Sequence, residues 1–380
     1  MFDINKARSF FQLNSDITFL NNASHGPLPI TVRKAYDNYL DSWQRTEHDH
    51  DVESFRVIER LRGKLAKMIG ALPNRIGLST NSSFGMSLIA SGYPWKKGDN
   101  VVLSQGEFPA NVYPWVSLKR IGVGVKFAST LNGYFDEDSL LMLADNGTRV
   151  ISVSWVQFSN GFRADLARLS EFCRSRDILF CVDGMQGMGV IPIDVSQYNI
   201  DLFTSGCAKW MLGPCGTGFF YMSEKAEELL RPISIGWLSI DWHDDFTDLT
   251  RYDLPERKGP GKYEFGTYPY QDIRALNASV DLHLMFDRNS VWEYIKSLTG
   301  ILIDKVESDT RLELRSSVED GRRSGIVSFR AEETRQLYDY LRNNRYIVSF
   351  REGNIRVSPH FYNTTDEIQS FIAALDDFQI

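Results

Sequence analysis

The stretch ILFCVDGMQGMGVIPIDVSQYNIDLFTSGCAKWMLGPCGTGFFYM, residues 178–222, decides the fold. ILFCV runs apolar into Asp183, as a strand does when both its faces are covered. A carboxylate at the carboxyl end of a parallel strand sits where open α/β sheets place ligand-binding groups. Gln186 follows three residues later. Further on, Lys209 lies among Ser205, Gly206, Gly213, Pro214 and Gly216. Such small residues let backbone approach a ligand closely. A lysine held there can lose its proton readily and act as a nucleophile toward a carbonyl. Taken alone, Asp183 also fits a turn residue and Lys209 a surface charge.

Outward from this stretch, strands and helices alternate. IGLST (76–80), NVVLSQ (100–105), GVKFAST (124–130) and RVISVSW (149–155) read as strands, and GTGFFYMS (216–223) fits the same sheet. Helical stretches from Ser82 to Ala90, from Val112 to Arg120 and over DLARLSEFCRSRD (165–177) lie between them. Thr31 to Gln44 and Glu53 to Ile69 are helices before the series. The second puts Ile58, Leu61, Leu65 and Ile69 on one face. Nearly continuous apolar strands with crossover helices predict an α/β fold with a mainly parallel sheet. Ser234 to Tyr270 is irregular, and Asp272 to Phe286 is helical. GIVSF, EETRQLYDYLRNN, YIVSF and NIRVS then follow a β-α-β-β order, and Asp366 to Leu375 forms a last helix. This predicts a smaller C-terminal α+β domain, with a boundary near 275–290. Residues 20–280 form the large domain, and 1–19 with 281–380 the small one.

Composition narrows the function. The chain has 380 residues, 42 Lys plus Arg, 49 Asp plus Glu and a net charge of −7. That balance gives no electrostatic reason to expect nucleic acid or an anionic membrane as partner. No run of 18 apolar residues exists, and MFDINKARSFFQLNSD is too polar for a signal-peptide core. Cys173, Cys181, Cys207 and Cys215 lack CxxC spacing, so a reducing cytoplasm is the default. The sequence has no GxxxxGK[ST], HExxH or GxSxG, and no GxGxxG after a strand. His48 and His50, in EHDHD, read as a solvated charged loop rather than a metal site.

Three separated motifs widen the context: VDGxQG, K-W-x-x-G-P-x-G-T-G and R-V-S-x-x-x-Y-N-T. Together with LNNASHGPLP (20–29), they make the chain resemble the class V aminotransferase and cysteine desulfurase family, fold type I of pyridoxal 5′-phosphate (PLP) enzymes. The resemblance runs from LNNASHGPLP to NIRVSPHFYNTTDE (354–367) and implies a seven-stranded-type sheet. It also implies that Lys209 forms the internal aldimine and moves the α-proton, and that Asp183 pairs with the pyridinium nitrogen. Gln186 matches the residue that touches the phenolic oxygen. In STNSSFGMSL (79–88), Ser82 and Ser83 match the phosphate cup, which suits free amides at a helix N-terminus. Ser205 adds a hydroxyl to the phosphate. Many relatives carry that serine three residues before the lysine; here it is four. Ala208 replaces a frequent histidine.

In SQGEFPANVYPW (104–115), Phe108 takes the place of the residue stacked on the ring. YEFGTYPY (263–270) resembles the F-E-x-G-T segment, whose Gly-Thr reaches the partner subunit's phosphate. Gly266 and Thr267 therefore imply a homodimer with shared sites. Arg356 matches the arginine that holds the substrate α-carboxylate, so the substrate is an amino acid. Asn22, Ala23 and His25 would lie at the entrance, with His25 a substrate contact. Trp115, Trp237, Trp242 and Tyr268 are candidates for the side-chain pocket.

No cysteine follows Cys215, which argues against persulfide relay through a small-domain thiol. An aminotransferase-like reaction is the primary expectation. A C–S lyase or selenocysteine lyase, or an epimerase of the isopenicillin N type, is the alternative. A noncatalytic binding module is a third, disfavoured because Lys209, Asp183, Gln186 and Arg356 are all retained.

Overall fold

The computed structural model describes residues 2–47, 52–243 and 246–378; His48 and His50 lie outside them. In chain order the strands are β1 (Thr18–Phe19), β2 (Ile76–Ser79), β3 (Asn100–Ser104), β4 (Gly124–Ala128), β5 (Thr148–Ser154), β6 (Leu179–Asp183) and β7 (Leu202–Gly206). They continue with β8 (Gly218–Met222), β9 (Leu312–Leu314), β10 (Val327–Ala331), β11 (Tyr346–Ile347), β12 (Ser349–Arg351) and β13 (Asn354–Val357).

The large sheet has seven strands in the order β2-β8-β7-β6-β5-β3-β4. β7, β6, β5, β3 and β4 run parallel, and β8 runs antiparallel to both its neighbours. Its strands are apolar because helices cover both faces: Val102, Ile151, Val153, Phe180, Val182 and Phe203 face one core, and Val101, Leu103, Val150, Leu179 and Leu202 the other. β7 is the strand that sequence patterning missed, since its second half is Thr204-Ser205-Gly206. The helix read over Val112 to Arg120 is broken into Tyr113–Val116 and a tighter 3₁₀ turn, Ser117–Ile121. Pro114 has no N–H to donate, so it belongs at a helix start and not inside one.

The helix Val52–Ile69 buries Ile58, Leu61, Leu65 and Ile69 as its spacing predicts. Each such side chain contributes about 1.5–3 kcal/mol on leaving water. The C-terminal sheet runs β12-β13-β10-β9, all antiparallel. Val327, Phe329, Ile355 and Val357 turn one of its faces into a core with Leu298, Leu302 and Val306 of the helix Arg288–Ser308. Alternation then puts Ser328 and Arg356 on the opposite face.

The N-terminal segment stitches the two sheets together. β1 pairs in parallel with β11, Ser358 N donates to Leu20 O, and Asn22 N donates to Ser358 O. Four residues on, Gly26 N donates to Ala208 O. A Cβ at Gly26 would lie 2.7 Å from Lys209 O, so only glycine allows this approach beside the lysine.

Candidate active site

β6 and β7 are adjacent and parallel, with Asp183 opposite Thr204. Their carboxyl ends therefore carry Asp183 and, three residues past β7, Lys209 to the same edge of the sheet. Lys209 sits in a tight turn: Leu212 N donates to Lys209 O, and Leu212 adopts φ +55°. A buried leucine in that conformation is strained, which is characteristic of over-determined functional turns.

The Lys209 amine is largely buried and lies 5.4 Å from the Phe108 ring centroid. Burial, then the Arg356 charge, pulls its pKa down to about 8, against the pull of the Asp183 carboxylate. Burial pushes Asp183 up to about 6, opposed by the Met185 amide, which donates to Oδ1 at 2.9 Å. The Glu107 carboxylate behind it pushes the same way as burial. Glu107 accepts from Ser154 N (2.9 Å), Gln157 Nε2 (3.0 Å) and Asn111 Nδ2 (3.0 Å). Even so, burial holds its pKa above the ordinary value.

Gln186 is buried, with Oε1 accepting from Trp210 Nε1 at 2.8 Å and Nε2 donating to Ala23 O at 3.0 Å. The indole thus sets the amide orientation and leaves one N–H of Nε2 for a ligand. Arg356 donates to Ser349 Oγ (3.1 Å), Phe158 O (2.6 Å) and Ser24 Oγ (2.8 Å). All three acceptors are neutral, and no acidic partner of Arg356 occurs among the described residues. Burial, then the Arg351 charge, pulls its pKa down to about 9. The Phe158 ring also packs edge-on against Phe108 at 5.2 Å.

Several of the residues singled out in the sequence make contacts within the chain. Ser82 opens the helix Ser82–Gly92, and its side chain is near enough to Asp183 to lower that carboxyl's proton affinity slightly. The helix start also offers backbone to an anion: Asn81 Oδ1 caps Phe84 N and leaves the Ser82 and Ser83 amides uncapped by it. The Ser205 hydroxyl donates to Gly206 O at 3.0 Å. Asn22 is not at an entrance. It is fully buried, its Nδ2 on Ser358 O (2.8 Å) and its Oδ1 accepting from Tyr362 (2.9 Å). It locks the N-terminal segment to the C-terminal unit. His25 is exposed, with its ring edge-on to Phe19.

Gly266 and Thr267 do not join Lys209 within the chain. They line a cavity of about 290 Å³ with Ser79, Thr80, Gly216 and Thr217. Of the pocket candidates, Trp115 is fully buried core, and Tyr268 is bound to Glu264 and Arg62. Sequence reading missed Ser24, Phe158, Trp210 and Glu107. Ser24 and Glu107 lie inside quoted segments; Phe158 acts through its carbonyl, which no residue type signals.

The family model of the class-V aminotransferases matches residues 18–371. A Bacillus subtilis protein named "Uncharacterized aminotransferase YcbU" is 24% identical over 367 residues, covering 96% of this chain and 95% of its own. Isopenicillin N epimerase of Amycolatopsis lactamdurans is 26% identical over 391 residues, 98% and 97% of the two chains. A solved structure of a lysine-to-alanine mutant of C-DES, with glycine covalently linked to its PLP cofactor, superposes with a TM-score of 0.88 at 21% identity over the whole of both chains.

Proposed function

Because this chain belongs to the class-V aminotransferase family, we propose that it is a PLP enzyme that transforms an amino acid at its α-carbon by an aminotransferase-like reaction. The observation that carries this reading is the convergence of three groups: a buried amine with a pKa of about 8, a buried carboxylate, and a buried guanidinium with no acidic partner among the described residues. The residues fit the cofactor. Asp183 is poised to hold a protonated ring nitrogen, the Ser82 and Ser83 amides to receive a phosphate, and the Phe108 ring to cover the pyridine face.

When bound, PLP supplies an aldehyde for the lysine amine and a ring that withdraws electrons from the substrate α-carbon. Arg356 holds the α-carboxylate with its planar fork and so sets which α-carbon bond faces Lys209. Lys209 Nζ removes and returns the α-proton, a task suited to an amine tuned toward neutral pH. Asp183, ionised above about pH 6, keeps the ring nitrogen protonated. Gln186 would hold the cofactor's phenolic oxygen with its remaining N–H.

Sulfur relay through a C-terminal thiol is not part of the proposal: no cysteine follows Cys215, and Cys173, Cys181 and Cys207 are buried. A homodimer is part of the proposal. Ile233, Ile235, Trp237 and Phe265 are exposed beside Gly266 and Thr267, and a matching copy would cover them.

The test is spectroscopic. Purified protein shows the visible absorption of lysine-bound cofactor, and Lys209→Ala loses it; retention in the variant refutes the lysine assignment. Conversion to an amine-form spectrum on adding amino acids supports transamination. Pyruvate or sulfide release without that conversion identifies β-elimination instead.

A further inference from the structure

Charges on and beside the C-terminal sheet are mostly neutralised in place. Arg315 and Arg330 both bind Glu313, at 2.7 and 2.6 Å, and Arg311 binds Asp309 at 2.7 Å. Arg351 and Arg356 are different. Among the described residues neither has an acidic partner, and the two lie side by side. Ser349 of β12 stands opposite Arg356 of β13, and their side chains are hydrogen-bonded, so they share a face. Arg351, two residues beyond Ser349, projects from that same face as the diagonal neighbour of Arg356.

The register is pinned by the two-residue turn Glu352-Gly353, with φ values of +47° and +77°. Both lie in the left-handed region, as a type I′ hairpin turn requires. Asn354 Nδ2 donates to Glu352 O at 2.9 Å across this turn. Arg351 is exposed, and its Nη1 donates to the neighbouring Phe350 O at 2.9 Å. Its charge is felt at both Arg356 and Lys209, lowering the proton affinity of each. Two like charges on one face of a hairpin repel unless an anion lies between them. Each guanidinium fork matches one carboxylate.

We propose that Arg351 and Arg356 together form a binding site for a dicarboxylic amino acid, with Arg356 on the α-carboxylate and Arg351 on the side-chain carboxylate. This rests on the reading of the site as that of an amino-acid enzyme and adds the substrate class. Arg356 is buried and orders the reacting end; Arg351 lies at the rim and selects the far end.

The holoenzyme is titrated with aspartate, glutamate, asparagine and glutamine, and binding is followed by perturbation of the cofactor absorption. At least one acid binds about tenfold or more tightly than its amide, the scale of a hydrogen bond to a charged group. Arg351→Gln removes that preference and leaves amide binding within about twofold; added salt shrinks it, because the Arg351 end is exposed. Equal affinity for acid and amide in the wild-type protein overturns the proposal and leaves the amino-acid reading standing. A preference that survives in Arg351→Gln overturns the role of Arg351. No spectral response to any of the four, with cofactor bound, overturns both readings.

Discussion

Arg62 and Arg356 are both buried, 4% and 2% exposed, but in opposite company. Arg62 projects from the helix Val52–Ile69 and grips both carboxylate oxygens of Glu264, at 2.7 and 2.6 Å. Glu264 also accepts from Leu78 N at 2.7 Å and from the Tyr268 hydroxyl. Burial works against the Arg62 charge, but Glu264 more than offsets it and holds the pKa well above the ordinary value. Arg356 meets only neutral oxygens, and its pKa falls. The first arginine completes its electrostatics inside the chain and ties the segment carrying Gly266 and Thr267 to β2. The second keeps an uncompensated charge, which the fold tolerates and an anionic ligand would complete.

This contrast can be broken by mutation. The largest effect expected is from Glu264→Leu, which leaves Arg62 in the interior with only the exposed Glu59 carboxylate, 3.0 Å from its Nε, and costs about 3 kcal/mol by denaturant unfolding. Removing both partners, with Arg62→Leu added, restores most of that stability, because the under-compensated interior charge disappears. Arg356→Leu behaves differently: without substrate its unfolding midpoint stays level or rises. A loss as large as that of Glu264→Leu would show Arg356 to be structural after all.

Next in size is the effect of Arg356→Leu on turnover, a fall of about a hundredfold in kcat/KM, as losing a charged hydrogen-bonded contact implies. Arg62→Leu, corrected for folded fraction, leaves kcat/KM within a few-fold.

The smallest effect is on titration. The rate at which cofactor-free protein takes up the aldehyde follows the deprotonated Lys209 amine, rising with pH about a midpoint near 8. Arg356→Leu removes a like charge and moves the midpoint up by less than about one unit, whereas Arg62→Leu leaves it in place. The sign carries over to stability. The folded amine binds its proton less tightly than the unfolded one, so cofactor-free protein gains stability as pH rises from about 8 toward the ordinary lysine range.

The legible and illegible parts of the molecule divide along a similar line. Every strand of the large sheet except β7 shows as an apolar run, and Asp183 and Lys209 stand out because the strand and the small residues around them are contiguous. β7 escaped because half its residues are small or polar, and the helix Arg288–Ser308 because it was not separated from its surroundings. At the site, Phe108 lies beside Lys209. Ser205 and Asn22 carry the expected residue types, but their polar atoms meet partners that no pattern announces: Gly206 O, and Ser358 with Tyr362. A hydroxyl or amide can bond in many directions, and only the surrounding atoms choose among them.

By itself the sequence determined the layered α/β architecture, the position of the acid at a strand end and of the lysine in its turn, and the family. Those features follow from hydrophobic periodicity and turn chemistry, which act over a few residues. Only the tertiary structure decided that Arg62 is matched while, among the described residues, Arg356 and Arg351 have no acidic partner, and that Trp210 turns the Gln186 amide. Charge pairing and hydrogen-bond allocation depend on side chains up to hundreds of positions apart, brought within hydrogen-bonding distance by packing that no local pattern encodes.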